Sequence, residues 1–212
     1  MTNRHAGSMG SYGSTWESRG YCGSGPVGDL LESLRGRPAV IAGSAEGVFD
    51  ELRVVLRLYE DPVIFAVNDI GMFLPKVDHW VSLHSDKLGM WKQVRWMQTH
   101  AREKTLYHSV DERHYIDVVW TGLTPLFALS GYFAMQLAWL MGASSIVLCG
   151  CPGTQRRRFF DLNVREFGYG ANATGVDEGV RSQIEREMTR LPQFKEAVRS
   201  MSGWTKLYFG GV

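Results

Sequence analysis

The alternation of apolar and polar positions is clearest in residues 128–153. Phe133, Leu137 and Leu140 recur at spacings of three and four residues, which predicts a buried helix. The segment 145–149, SIVLC, follows as an unbroken apolar run between turn residues, which is typical of a parallel strand covered on both faces. Ligands of such sheets bind beyond the carboxyl ends of the strands, so we expect a site there.

The two ends of this helix are marked by residues with special backbone roles. Ser130 and Gly131 stand at its start, where a serine N-cap and an open first-turn amide are expected. Gly142 stands at its end, where glycine readily adopts the left-handed conformation of a C-cap. The pattern therefore predicts a helix N-terminus with amides open to a ligand.

Similar units of strand and helix recur along the chain after residue 30. The predicted strands span 38–42, 62–67, 80–83, 104–107, 115–120, 145–149 and 206–209. The other predicted helices span 48–58, 88–98 and 176–190, with a further short helix after Pro192. This alternation is typical of a sheet wound on both faces. We therefore expect an α/β fold with a doubly wound, mostly parallel sheet and helices on both faces.

The first 29 residues differ in composition from the remainder. They are rich in glycine and serine, with aromatic residues scattered at Tyr12, Trp16 and Tyr21. Such a segment buries little apolar surface by itself. We expect residues 1–29 to form a flexible arm, either unattached or docked on a partner through its aromatics, and residues 30–212 to form a single domain.

Charge and cysteine content narrow the class of protein. With 23 basic and 22 acidic side chains, the formal charge of +1 does not favour general nucleic-acid or anionic-membrane binding. No apolar run approaches the roughly 18 residues that a membrane span needs. The three cysteines, Cys22, Cys149 and Cys151, do not suggest a disulfide framework. We expect a cytoplasmic protein without a membrane partner.

A glycine-containing loop, residues 43–47, follows the first predicted strand and precedes a helix. Small residues such as Gly43, Ser44 and Gly47 let backbone amides approach a phosphate or carboxylate. The loop lacks the spacing of a dinucleotide fingerprint or a P-loop, so neither NAD binding nor P-loop ATPase activity is favoured. The loop is a candidate nucleotide site, with a plain turn between strand and helix as the alternative.

Polar residues follow the second and third predicted strands. Asn68 and Asp69 come after the second. The Asn68 side chain is suited to hydrogen-bond a base or a ribose, and the Asp69 carboxylate is suited to bind a ribose hydroxyl or to coordinate a metal ion. His84 and Asp86 come after the third and are candidate catalytic residues, with a structural role for His84 as the alternative. The histidines and cysteines lack the spacing of a zinc site.

Three arginines, Arg156, Arg157 and Arg158, follow the strand predicted over 145–149. Their guanidinium groups are suited to clamp a phosphate at the rim of the sheet. A solvated basic loop is the alternative. We expect the segment behind them to bring Asp161 over the same rim.

The order of these pieces, over about residues 38–161, resembles a Rossmann-like family. That family contains small bacterial sialyltransferases, motility accessory factor glycosyltransferases, 6-hydroxymethylpterin diphosphokinase-like proteins and uncharacterised phage and prophage proteins. The resemblance rests on the segment 40–47, VIAGSAEG, on Asn68 after the next strand, and on the helix and strand within 130–150. The segment 78–86, DHWVSLHSD, looks most like the phage members.

The resemblance implies where a nucleotide would lie. It would be bordered by Gly43, Ser44, Asn68, His84, Ser130 and Gly131. The sialyltransferases carry a general-base histidine after the strand that matches 146–150, whereas the last histidine here is His114. The acidic residue that follows that strand in them is replaced here by Cys151-Pro152. The base of a transfer reaction would therefore be His84 or Asp86.

Three functions stay open from the sequence. The first is a nucleotide- or nucleotide-sugar-binding transferase, glycosyltransferase-like, with the ligand at the carboxyl ends of the strands. The second is a non-catalytic phage-encoded accessory or virion-associated protein, which would contact a structural partner or a second copy of the chain through the arm. It would then reside in the host cytoplasm or the virion. The third is a Mg²⁺-dependent diphosphokinase-like enzyme with Asp69, Asp86 and Asp161 as metal ligands.

Overall fold

The structure is a computed structural model that describes residues 26–99, 104–121, 123, 129–154, 158–159 and 178–212. Within these residues seven strands form one sheet: β1 (Pro38–Ala42), β2 (Val63–Val67), β3 (His79–Val81), β4 (Leu106–Ser109), β5 (Val118–Val119), β6 (Ser145–Cys149) and β7 (Val198–Ser200). Their order is β5-β4-β3-β2-β1-β6-β7, and all neighbouring pairs are parallel. The predicted doubly wound α/β fold is confirmed, and it is Rossmann-like.

Helices cover both faces of the sheet. Those in the described residues are α1 (Pro26–Leu30), α2 (Val48–Leu58), α3 (Ser85–Thr99), α4 (Ser130–Leu140), α5 (Glu178–Met188), α6 (Pro192–Ala197) and α7 (Gly203–Phe209), with a 3₁₀ turn at Asn68–Met72. Successive strand residues point to opposite faces, so Val40 packs with α2 and α3 while Ile41 packs with α1 and α4 to α7. The sheet therefore separates two hydrophobic cores.

Three predicted elements have the observed bounds, namely those that became β1, α2 and β6. The second, third, fourth and fifth predicted strands, and the helices predicted near 88–98, 176–190 and after Pro192, are present with bounds shifted by one to three residues at most ends. Gly142, with a φ of 84°, adopts the predicted left-handed conformation just after α4. Its amide and that of Ala143 donate to Trp139 and Ala138 respectively, so the helix C-terminus is closed by backbone bonds.

The folded part begins earlier than predicted. Helix α1 starts at Pro26, inside the arm expected over residues 1–29, and Val27 is buried in the core. Leu30 and Leu34 pack into the same cluster, at three and seven residues from Val27. This short helical repeat is hidden in the sequence by the surrounding glycines and serines. Residues 1–25 lie outside the described residues.

The strand predicted over 206–209 is wrong, because that segment belongs to α7. Trp204 and Tyr208 are four residues apart and stack with ring centroids 5.2 Å apart, and Thr205 and Phe209 are buried at the same spacing. These contacts override the strand preference of the aromatic residues. The edge strand β7 was missed, since it is three residues long and follows α6 without a turn.

Candidate functional site

The candidate site lies at the carboxyl edge of the sheet. The order of the strands reverses at β1, which has β2 on one side and β6 on the other. In open α/β sheets the ligand lies outside the strand ends at such a switch point. Helices α2, α3 and α4 all begin at this edge, α2 and α3 on one face and α4 on the other. Helix N-termini carry partial positive charge, so the edge favours an anion.

The loops after β1 and β6 pack against each other at the switch point. The amides of Gly43 and Ala45 donate to the carbonyl groups of Cys149 and Gly150, at 2.8 and 3.2 Å. A Cβ atom on Gly43 would lie 2.5 Å from the Gly150 oxygen, so the contact requires glycine. The Glu51 carboxylate accepts a bond of 2.7 Å from the Gly150 amide. Two amides of the predicted phosphate loop are thus already bonded within the protein.

Residues 158–159 pack against the loop that follows β1. The Phe159 amide donates to the Ser44 carbonyl at 3.0 Å, and Arg158 pairs with Ala45 in an antiparallel bridge. The Arg158 guanidinium lies 2.8 Å from the carboxylate of Asp69, whose side chain is 3% exposed. Arg158, one of the three arginines predicted to bind a phosphate, therefore pairs with Asp69, the residue predicted to bind a ribose or a metal. Arg156, Arg157 and Asp161 lie outside the described residues.

Asn68 connects the ends of β2 and β3. It adopts the left-handed conformation with a φ of 56°, which asparagine tolerates better than most residues. Its Oδ1 atom accepts a bond of 2.8 Å from the Ser82 hydroxyl, and that hydroxyl accepts one of 2.9 Å from the His84 amide. The Trp80 indole donates to the Asn68 carbonyl. The turn after β2 is thereby held against the end of β3.

Ser130 adds helix α4 to this network. Its hydroxyl accepts a bond of 3.2 Å from the Leu83 amide. Leu129 occupies the N-cap position and makes no side-chain cap bond, so the prediction that Ser130 caps the helix is wrong. The Ser130 hydroxyl instead bonds the Leu83 amide, which follows β3. Among the described residues, a Cβ atom on Gly131 would meet only the Cys151 sulfur, at 3.8 Å. These residues therefore leave room for a neighbouring group beside the first turn of α4.

The two candidate bases stand at the same edge. His84 directly precedes α3 and is exposed, and Asp86 lies exposed in the first turn of that helix. Between them Ser85 is buried, and its hydroxyl lies 3.2 Å from the carboxylate of Asp111, which follows β4. Their exposure leaves the side chains of His84 and Asp86 accessible to a small molecule at this edge.

The structure brings most of the predicted residues to one edge, in two connected groups. Asn68, the Ser82 hydroxyl, the His84 amide and Ser130 form one group, and Ser44, Asp69 and Arg158 form the other. Asn68 and Asp69 are adjacent and so join the groups. Sequence reasoning missed Ser82, Glu51 and Asp111, although a polar residue at a strand end is a signal that would have found Ser82.

The cysteines at this edge are not prepared as nucleophiles. Burial, followed by the negative charge of Glu51, raises the pKa of Cys151 to about 12. Burial also raises the pKa of Cys149 above its ordinary value. The thiolate is the reactive form of cysteine, so both side chains are inert thiols at neutral pH. Among the described residues, no group of three His, Cys, Asp or Glu side chains is arranged to hold a metal.

Comparison with known proteins adds no family to this description. The chain matches no family model and no curated protein. In the part of the chain that the structure describes, no helix has the length and apolar character to cross a membrane.

Proposed function

We propose that the protein binds a nucleotide or nucleotide sugar at the carboxyl edge and transfers a group from it, as a glycosyltransferase does. The observation that carries the proposal is the start of α4, where the N-cap residue Leu129 makes no side-chain cap bond and which stands beside the hydrogen-bonded group of Asn68, Ser82 and Ser130. A phosphate at this helix start would bond the first-turn amides and be stabilised by the helix dipole.

The reaction assigns a role to each neighbouring group. The phosphates of the donor lie at Ser130-Gly131, and its ribose or base lies towards Asn68. His84 or Asp86 takes the proton of the acceptor hydroxyl, which attacks the sugar carbon while the nucleotide leaves with its bonding electrons. The convergence of three helix starts at this edge supports stabilisation of the departing phosphate.

A thermal-unfolding panel tests the proposal. CMP, UDP, GDP, their sugar conjugates and ATP are added separately, each with and without Mg²⁺ or Mn²⁺. A ligand at about 100 times its dissociation constant stabilises the folded state by about 2.7 kcal/mol, which raises Tm by roughly 5–10 °C for a chain of this size. Absence of a shift with every compound would contradict the proposal. A shift with ATP that requires Mg²⁺ would instead favour the diphosphokinase-like function.

A second candidate is a non-catalytic protein that retains the fold. The closed packing of Gly43 against Gly150 favours it, because those loops leave less backbone free for a ligand than an open switch point does. An accessory or virion-associated protein of this kind would need no nucleotide. The same panel separates the two, since only the transferase is stabilised by a donor.

A further inference from the structure

A second concave surface runs along helix α3, beyond the hydrogen-bonded groups of the carboxyl edge. It is a groove of about 470 Å³ between the helix and the turn that contains His114 and Tyr115. Its lining includes Asp86, Gly89, Gln93, Trp96, His114 and Tyr115. This volume falls within the range of small-molecule sites, which is about 300–1,000 Å³.

The floor of the groove depends on a glycine inside a helix. A Cβ atom on Gly89 would lie 2.8 Å from the Tyr115 ring, so only glycine lets the ring rest on the helix backbone. The Tyr115 hydroxyl donates to the Ser85 carbonyl at 2.7 Å, and His114 packs edge-on against the same ring. Glycine within a helix costs about 1 kcal/mol relative to alanine. At Gly89 this cost permits the close contact between the Tyr115 ring and the helix backbone.

The wall of the groove presents an aromatic surface to solvent. Trp96 is 59% exposed and Met90 is 47% exposed, whereas Leu88 and Trp91 of the same helix are buried. Helix α3 therefore has one face in the core and a second, partly apolar face along the groove. From Asp86 to Trp96 the helix rises by about 15 Å, so the groove is longer than a single sugar ring.

The charges along the groove nearly cancel. Asp86 is opposed by Lys92, whose ammonium group lies 4.0 Å above the Tyr107 ring. An anionic ligand would meet Asp86 as well as Lys92, so a nucleotide is not favoured here. The carboxylate of Asp86 accepts hydrogen bonds from hydroxyl groups, and the amide of Gln93 both donates to them and accepts from them. The flat faces of Trp96 and Tyr115 suit apolar C–H surfaces.

We propose that this groove binds a neutral oligosaccharide. One sugar ring lies on the Trp96 indole, and the hydroxyls of the chain bond Asp86 and Gln93. A carbohydrate matches the groove because it combines apolar ring faces with uncharged hydroxyl groups. The groove includes Asp86, one of the two candidate bases, but the proposal concerns binding alone and its test does not require turnover.

Calorimetry with uncharged trisaccharides of glucose, galactose, mannose and N-acetylglucosamine tests the proposal, with saturation-transfer NMR to identify the bound rings. We expect at least one of them to bind with a millimolar or lower Kd. Trp96→Ala should weaken that binding at least tenfold, and Gln93→Ala several-fold, while Trp96→Tyr should retain it within about threefold. The control is Leu58→Ala, which removes an equally exposed side chain from α2. It should leave saccharide binding unchanged.

Three outcomes would overturn the proposal. The first is that none of the four trisaccharides binds at millimolar concentration. The second is that Trp96→Ala and Gln93→Ala, each folded by circular dichroism, bind as well as the original chain. The third is a dimer that Trp96→Ala converts to a monomer without any saccharide effect, which would make the exposed face of α3 a contact between copies. Nucleotide binding at the carboxyl edge is measured separately on the same samples.

Discussion

The Nδ1 atom of His79 lies 2.9 Å from the Nε2 atom of His108, within the sheet. The Trp120 indole donates to the other ring nitrogen of His108 at 3.0 Å. An indole N–H only donates, so His108 carries its proton on Nε2 and donates it to His79. His79 in turn carries its proton on its own Nε2 atom. This chain of bonds requires both imidazoles to be neutral.

Acid should therefore destabilise the protein before its carboxyl groups titrate. Burial lowers the pKa of His79 to about 4, opposed by the nearby charge of Asp78 and reinforced by that of Arg37, and burial also lowers the pKa of His108. Both are near 6.5 in the unfolded chain. Between these values only the unfolded state takes up the two protons. The contribution of the two neutral histidines to the free energy of unfolding is therefore fully present above about pH 6.5, and it decreases as the pH drops towards 4.

Urea unfolding at pH 7, 6.5, 6, 5.5 and 5 measures this effect. We expect a slope that approaches two protons, or about 3 kcal/mol per pH unit, by pH 5.5. His108→Gln should remove about half of the slope. His114→Gln is the control, since it removes an exposed histidine and leaves the buried pair in place. A free energy of unfolding that stays constant from pH 7 to 5 would contradict the prediction.

The fold was predictable from the sequence where chain breakers enclose an apolar run. The elements that became β1, α2 and β6 are bounded by Pro38, Gly47 and Gly150, and their bounds were correct. Helix α7 was not predictable, because the stacking of Trp204 on Tyr208 and the burial of Phe209 depend on tertiary packing. Local preference is a weak guide where tertiary contacts decide.

The position of the candidate residues at one edge of the sheet was predictable, but the bonds that connect them were not. Residues such as Asn68 and Ser130 were placed at the carboxyl edge because strand ends converge there. Their bonds to Ser82 and Leu83 depend on which strands are neighbours, and this order is not written in the sequence. The pairing of Asp69 with Arg158 spans 89 residues and was missed for the same reason.

Gly43→Ala should destabilise the protein by about 2–3 kcal/mol. The added methyl would lie 2.5 Å from the Gly150 oxygen and 2.7 Å from the Cys151 sulfur, so the two loops must separate. Gly131→Ala is the matched control, since among the described residues its methyl meets only one sulfur, at 3.8 Å, and alanine is the better helix former, so the change should leave stability unaltered or raise it by up to about 1 kcal/mol. Urea unfolding of the two variants decides the matter. Equal stabilities would show that the loop contact is not tight.

The ion pair of Asp69 and Arg158 should be energetically coupled. Both side chains are largely removed from water, at 3% and 24% exposure, so removing one partner leaves a poorly solvated charge. We expect Asp69→Asn and Arg158→Met each to cost about 1–3 kcal/mol, and the double variant to cost at least about 1 kcal/mol less than their sum.

The pair of Asp50 and Arg53 provides the control for this cycle. Its atoms are 2.6 Å apart, but the side chains are 79% and 63% exposed, so their coupling should not exceed about 0.5 kcal/mol. Unfolding free energies of the two cycles give both coupling terms directly. If the effects of Asp69→Asn and Arg158→Met are additive, the segment at Arg158 is not held to the loop by this pair.

Gly131→Asp should separate stability from ligand binding. A carboxylate in the first turn of α4 interacts favourably with the helix dipole, which contributes about 0.3–1 kcal/mol to the folded state. The same charge repels a phosphate at the helix start, so the Kd of a nucleotide should rise at least tenfold. Gly131→Ala adds a methyl without charge and should change the Kd less than threefold. Unaltered affinity in the aspartate variant would remove the start of α4 from the site.

On the proposed transferase function, His84→Ala should abolish turnover while leaving donor binding intact. The side chain is exposed and the bond from the His84 amide to Ser82 does not involve it, so the fold should be unchanged. Loss of a general base lowers turnover by about 10²–10⁴-fold. Asp86→Asn is tested beside it, because Asp86 stands at the same edge. Calorimetry measures the affinity of each variant for the donor that the unfolding panel identifies. Initial rates with the same donor measure turnover, so a binding defect and a catalytic defect are distinguished. Full turnover in His84→Ala with loss in Asp86→Asn would transfer the role of base to Asp86.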